Sequence, residues 1–308
     1  MDIRRRMLLS EGGVIYYTSS TGVVTPFYTN VFGANIISNT YNNGMGVITF
    51  DGDVTTIGNF AFKNCTSLTS VTIPDSVTSI GKEAFYNCTS LTSVNIPDSV
   101  TTIEDYTFSG CASLTNVDIP DGVTTIGLYT FRDCTSLTSV NIPNSVMTIG
   151  FGAFYNCKSL TSVNIPDSIT TIGDITFTLC SKLTSITIPD SVTSIGRSAF
   201  EDCDSFTSIT IPDSVATIGG SVFYHCGKLT SVTIPDSVTE IGDSVFKYCK
   251  SLTRVYCKAT IPPSLGGTSV FDRNHSDRKI YVPTGSVEAY KSATYWSEYA
   301  SSIVGYNF

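Results

Sequence analysis

One 23-residue unit is written nine times along this chain, and a repeat that strict leaves few folds open. Phenylalanine stands at 62, 85, 108, 131, 154, 177, 200, 223 and 246, and cysteine keeps the same step from Cys65 to Cys249. Proline does so from Pro74 to Pro235. A unit of this length cannot bury its apolar face alone, so successive copies must stack into a solenoid. Each copy then touches only its neighbours, and the molecule grows by adding coils rather than by enlarging one core.

Two periodicities alternate inside a coil. Leu68, Val71 and Ile73 bracket an inward–outward alternation that ends at Pro74, which predicts a short strand over 70–74. Stacked coils set these strands side by side in a parallel sheet. Proline lacks a donor and fits only where the ladder ends. Asp75 and Ser76 follow as a turn, and Val77 and Ile80 point back to the core. On a helical wheel Gly58, Ala61, Phe62 and Cys65 gather on one arc, which predicts a helix of about two turns held by its phenylalanine. Helical turns need more lateral room than strands about 4.8 Å apart, so the stack is expected to curve. The expected fold class is α/β: a solenoid with a curved parallel β-sheet on the concave side, short helices on the convex side, and a cap at each end.

The flanks set the domain reading. Residues 1–10 read as a flexible leader, and 11–53 as an N-terminal cap with a hairpin and a degenerate first coil. The hairpin is expected between 14–17 and 23–27, across Ser19, Ser20, Thr21 and Gly22. Met45, Ile48, Phe50, Val54 and Ile57 hold the places later taken by Leu68, Val71, Ile73, Val77 and Ile80. Residues 54–257 are the repeats, with Cys257 as a strand core residue. Residues 258–308 read as a stretched coil through Phe271, Ile280 and Val282, then a cap helix over 284–293, with the apolar tail packed on the final coil.

Composition excludes several classes. Only 14% of residues are charged against 41% hydrophobic, which does not fit a disordered chain. The net charge is −8, and beyond Arg4, Arg5 and Arg6 there is no basic cluster, so neither a nucleic acid nor an anionic membrane is expected as partner. No apolar run reaches the length of a membrane span, and only three apolar residues, Met7, Leu8 and Leu9, follow the basic start. A secretory signal needs about 7–15, so no recognisable signal peptide or anchor is seen. Nine of the ten cysteines stand in one column with parallel Cβ directions. Strand-like spacing exceeds the preferred Cβ separation of a disulfide, so buried thiols are expected instead.

The coil written Ile80, Gly81, Ala84, Phe85, Cys88, Leu91, Val94, Ile96 and Pro97 resembles the BspA-type leucine-rich repeat of bacterial surface proteins. Phe50, Asp51 and Gly52 leading in, and 280–290 leading out, are similar to segments that flank such arrays. The resemblance covers about 45–308 and implies a leucine-rich-repeat solenoid. It also implies an extracellular or cell-surface setting and adhesion to host proteins or other cells.

The residues themselves offer a surface rather than a reaction. Two outward columns are expected on the concave sheet. One runs Ser70, Ser93, Asn116, Ser139, Ser162, Ser185, Ser208, Ser231, Arg254; the other runs Thr72, Asn95, Asp118, Asn141, Asn164, Thr187, Thr210, Thr233, Tyr256. The candidate ligand-binding residues are Asn95, Asn116, Asp118, Asn141, Asn164, Thr187, Thr210, Thr233, Arg254 and Tyr256, which can donate and accept hydrogen bonds along an extended partner. The same columns also fit a merely soluble β face. A further acidic column, Asp75 to Asp236, is explained by turn chemistry, and no glycine-rich companion motif completes a calcium shell around it. His225 and His275 have neither triad nor zinc-ligand spacing around them. No catalytic residue, metal or cofactor is therefore expected. On the outer edge Phe60, Tyr106, Leu128, Tyr129, Phe151 and Ile175 give way to Ser198, Ser221 and Ser244, which fits either a partner patch or rings packed across coils. The expected function is a non-catalytic recognition scaffold binding a protein or glycan in cell-surface adhesion. The alternative is a structural spacer rod in a larger surface or virion assembly.

Overall fold

The apolar residues of each coil enclose three sides, and the backbone of each side is satisfied by the next coil. The computed structural model describes residues 13–308, so the leader expected over 1–10 lies outside the described residues. The chain divides into two compact units, Met1–Leu160 and Thr161–Phe308, each a stack of parallel coils.

The first side is the expected strand. Leu68–Thr72 pairs in parallel with Ser93–Asn95, and Asn116–Asp118 pairs with Ser139–Asn141. In the second unit Asn164 bridges Thr187, and Ser208–Thr210, Ser231–Ile234, Arg254–Cys257 and Lys279–Pro283 lie as successive parallel neighbours. A turn follows, closed from Val77 N to the Pro74 carbonyl at 3.0 Å. The Ser76 hydroxyl fixes that turn to the preceding coil through the Val54 carbonyl, 2.7 Å away.

The second side is a strand of two residues. Thr56–Ile57, Ser79–Ile80, Thr102–Ile103, Thr125–Ile126 and Thr148–Ile149 form one sheet in the first unit. Thr171–Ile172, Ser194–Ile195, Thr217–Ile218, Glu240–Ile241 and Ser264–Leu265 form its equivalent in the second. The isoleucine, or Leu265 in the last strand, points inward and the polar residue outward.

The third side corrects the sequence reading: turns stand where short helices were expected. Phe60, Phe62 and Asn64 donate their N–H groups to the carbonyls of Lys82, Ala84 and Tyr86 in the next coil, at 2.9, 2.7 and 2.8 Å. The residues between them bond three back within the coil, as Ala61 does to Gly58 and Lys63 to Phe60. An α-helix keeps all these bonds to itself, and packed helices stand about 8–10 Å apart. The Phe62 and Phe85 rings are only 5.4 Å apart, so there is no room for one. Phe60 and Asn64 both take left-handed backbone angles, at φ 61° and 60°. At the second of these positions Asn87, Gly110, Asp133 and Asn156 recur, residues that tolerate that region.

Phenylalanines fill the centre. From Phe62 to Phe154 neighbouring rings lie 5.4–5.6 Å apart and within 9° of parallel. From Phe177 to Phe271 the spacing is 5.5–5.6 Å and the tilt at most 11°. Burying one such side chain is worth about 1.5–3 kcal/mol, and an aromatic pair adds about 0.5–1.5 kcal/mol. All ten cysteines are reduced and buried. Cys88, Cys111 and Cys134 donate their thiols to the carbonyls of Phe62, Phe85 and Phe108, at 3.0–3.2 Å.

Both ends are closed by other residues. Strand β1 (Val14–Ser19) does not pair with 23–27. It runs antiparallel to Leu68–Thr72 on one side and to Met45–Phe50 on the other, where β2 (Ile36–Asn42) and β3 (Met45–Phe50) make the real hairpin. Asn43 and Gly44, both at positive φ, form its two-residue turn. The strand of the degenerate coil is thus one place further out than its apolar pattern suggests. Phe32 ends the ring column, 5.7 Å from Phe62. At the other end helix α1 (Val287–Ser292) follows a 3-10 turn at Thr284–Ser286, close to the cap helix expected over 284–293. Trp296 and Tyr299 close on Phe271, and the Trp296 indole donates to the Pro263 carbonyl at 2.7 Å. Among the described residues no helix is long and apolar enough to cross a membrane.

Candidate functional site: the outward sheet face

Strand alternation places the candidate residues as the sequence suggests. In the first unit Thr72 faces Asn95, Asn116 faces Ser139, and Asp118 faces Asn141 across the sheet. Asn95, Asn116, Asp118 and Asn141 are exposed, while Val117 and Val140 between them are buried. The amides of Asn95 and Asn141 are engaged by no hydrogen bond among the described residues. The neighbouring threonines are committed instead: the hydroxyls of Thr92 and Thr115 donate to the carbonyls of Thr69 and Thr92, at 3.0 and 3.3 Å. One row is therefore fixed scaffold, while Asn95 and Asn141 beyond it present unengaged amides.

The second unit carries exposed Asn164, Thr187 and Thr210, then half-buried Thr233 and Tyr256 with exposed Arg254. Thr210, Thr233, Tyr256 and Tyr281 occupy one continuous outward row, and Ser208, Ser231, Arg254 and Lys279 occupy the next. Tyr256 and Tyr281 stack at 4.8 Å with 17° between their planes. Tyr306 meets both edge-on at 5.6 Å, and Phe308 meets Tyr256 at 6.4 Å. Lys279, Tyr281 and Tyr306 were not among the residues singled out from sequence. The signal was present, since alternation from Ile280 to Val282 turns Tyr281 outward.

The outer edge of the first unit is a mesh of rings. Tyr106 stacks on Tyr129 at 5.3 Å, Phe151 meets Tyr129 at 5.3 Å, and the Arg132 guanidinium lies 5.3 Å from the Tyr129 ring centre. Burial pushes the Tyr129 hydroxyl above its ordinary pKa. Both tyrosines are half-buried, as rings packed across coils would be, while Leu128 and Phe151 remain exposed.

His225 pairs with Asp202 at 2.9 Å on the outer turns, and His275 lies 3.9 Å from Asp277 in a polar loop. Among the described residues no three His, Cys, Asp or Glu side chains converge to hold a metal ion.

A model of the BspA-type leucine-rich repeat region matches residues 55–184 and 170–297. A leucine-rich repeat protein from Bacteroides ovatus is similar at 30% identity, with a TM-score of 0.60 over 89% of this chain and 73% of that one. A leucine-rich repeat protein of T. pallidum shares 34% identity over 51% of this chain and 74% of its own, at a TM-score of 0.49. A leucine-rich cell surface protein from Faecalibacterium prausnitzii shares 26% identity over 87% and 89%, at a TM-score of 0.39. No curated protein sequence matches the chain.

Proposed function

The chain belongs to the BspA-type leucine-rich repeat family, and from that premise we propose that it is a non-catalytic recognition scaffold whose outward sheet face holds an extended protein partner. Leucine-rich repeat proteins generally bind proteins, and this family is typically non-enzymatic. The observation that carries the reading is the contrast between adjacent rows. Threonine hydroxyls beside the sheet are spent on the preceding coil, whereas the side chains of Asn95 and Asn141 keep their donors and acceptors for another molecule. Rigid strands hold those amides in place, so little ordering entropy opposes binding. The setting that fits is attachment at a cell surface, in line with the resemblance of the repeat to bacterial surface proteins.

The test captures proteins from host and bacterial surface extracts on the immobilised chain, then measures the captured protein against Asn141→Trp and Asn164→Trp. Loss of binding with an unchanged melting curve supports the outward face. Undiminished binding by both variants overturns it, and a chain that captures nothing is a spacer.

A further inference from the structure

We propose that the end of the outward face nearest the C-terminal cap binds a carboxylated polysaccharide, a sugar chain whose residues carry uronate-type carboxylates. This deepens, and rests on, the reading of the outward sheet face as the recognition surface.

Three observations meet there. First, the aromatic stack ends at Tyr256. Tyr281 covers one side of its ring, Tyr306 and Phe308 stand at steep angles to it, and on the other side its row partner is the small Thr233. A pyranose placed over Thr233 would lay its C–H face against that ring, which carries the negative face of its quadrupole there. Thr210 and Ser231 lie beside the same space and supply hydroxyls.

Second, cations bracket the stack. Arg254 and Lys258 flank Tyr256 on its own strand line, and Lys279 lies beside Arg254 in the next coil. Arg254 and Lys279 are exposed and form no ion pair among the described residues, while Lys258 reaches Asp213 only at 3.9 Å. The chain as a whole carries −8, so this is a local reversal of sign that suits an anion. The guanidinium offers the paired donors a carboxylate takes.

Third, the backbone there is closed to a peptide strand. Arg254–Cys257 is already hydrogen-bonded on both sides, to Ser231–Ile234 and to Lys279–Pro283, so a ligand must bind through side chains alone. Ring stacking, hydroxyl bonding and charge pairing are what an acidic sugar uses.

The test titrates the full chain with oligogalacturonate by calorimetry, beside Tyr256→Thr and Arg254→Ser. Each variant installs the residue that the preceding coil carries, Thr233 or Ser231, so the coil keeps its packing, and melting curves verify this. Binding that falls at least tenfold in each variant, and weakens as ionic strength rises from about 0.05 to 0.5 M, supports the site. Absence of oligogalacturonate binding overturns it. So does binding that Tyr256→Thr leaves intact, equal binding of a neutral oligosaccharide, or equal competition by poly-glutamate, which would mark a site for acidic peptides. Protein capture that depends on Asn141 survives each of these failures and is read in a separate experiment, so the failure of one reading is told apart from the failure of the other.

Discussion

The thiol of Cys134 donates to the carbonyl of Phe108 at 3.2 Å, so a side chain from one coil caps the backbone of the coil before it. The bond repeats along both units, with Cys157 on Phe131 and Cys226 on Phe200 among its copies. Burial raises the thiol pKa at Cys88, Cys111, Cys134, Cys203 and Cys226 and pushes Cys249 up to about 12; Cys65, whose thiol donates to the Thr25 carbonyl instead, is pushed up to about 11. In the unfolded chain a cysteine ionises near about 8.5. The folded chain therefore holds more protons above that pH, and the contribution is complete below it and lost as pH rises toward the folded values. Melting temperature should stay level up to about pH 8 and fall progressively from about pH 9. Thiol reagent at neutral pH should label the protein only as it unfolds.

Phe154→Ala should cost about 3–5 kcal/mol in denaturant melts. The ring is fully buried, and Phe131 lies 5.4 Å away in the column, so neighbours cannot close the gap without tilting.

Gly127→Ala tests how closely coils approach. A Cβ there would stand 2.8 Å from both Asp105 N and Glu104 C, backbone atoms that cannot swing aside. A loss of about 1–3 kcal/mol is expected. Gly285→Ala, which meets nothing within 4 Å, should stay within about 0.5 kcal/mol of the parent in the same melts.

Leu179 sits at φ 63° in the position where other coils place Asn64, Asn87 or Asn156. A branched apolar side chain is strained in that region and asparagine is not. Leu179→Asn should raise stability by up to about 1 kcal/mol, read as a higher denaturant midpoint.

The core was legible in the sequence because burial repeats with the period: Phe62, Cys65, Leu68, Val71 and Val77 each mark a column. The outer side was not, because a helical wheel places Gly58, Ala61, Phe62 and Cys65 together whether the backbone is α-helical or turned. What decided it was the 5.4 Å step between coils, a tertiary constraint that no single coil contains. The N-terminal strands were misread for a different reason. Val23 and Phe27 have the composition of a strand, yet both are exposed, and Tyr17 reaches past them to Asn39 at 2.9 Å. The stronger hairpin signal, Asn43 followed by Gly44, lay further along the chain. On the outward face, alternation located every candidate residue. The aromatic cluster escaped because Tyr306 arrives from a strand outside the repeat.

The antiparallel hairpin at the first coil also gives the stack a direction. Its outermost strand, Ile36–Asn42, runs against the sense of the first repeat strands, Leu68–Thr72 and Ser93–Asn95. A coil from a second molecule arriving at that edge would find hydrogen-bonding groups spaced for the opposite polarity. A coil laid there in the sense of the repeats would pair antiparallel, so the parallel ladder of the repeats ends at this edge, even though each coil is built to adhere to one like itself.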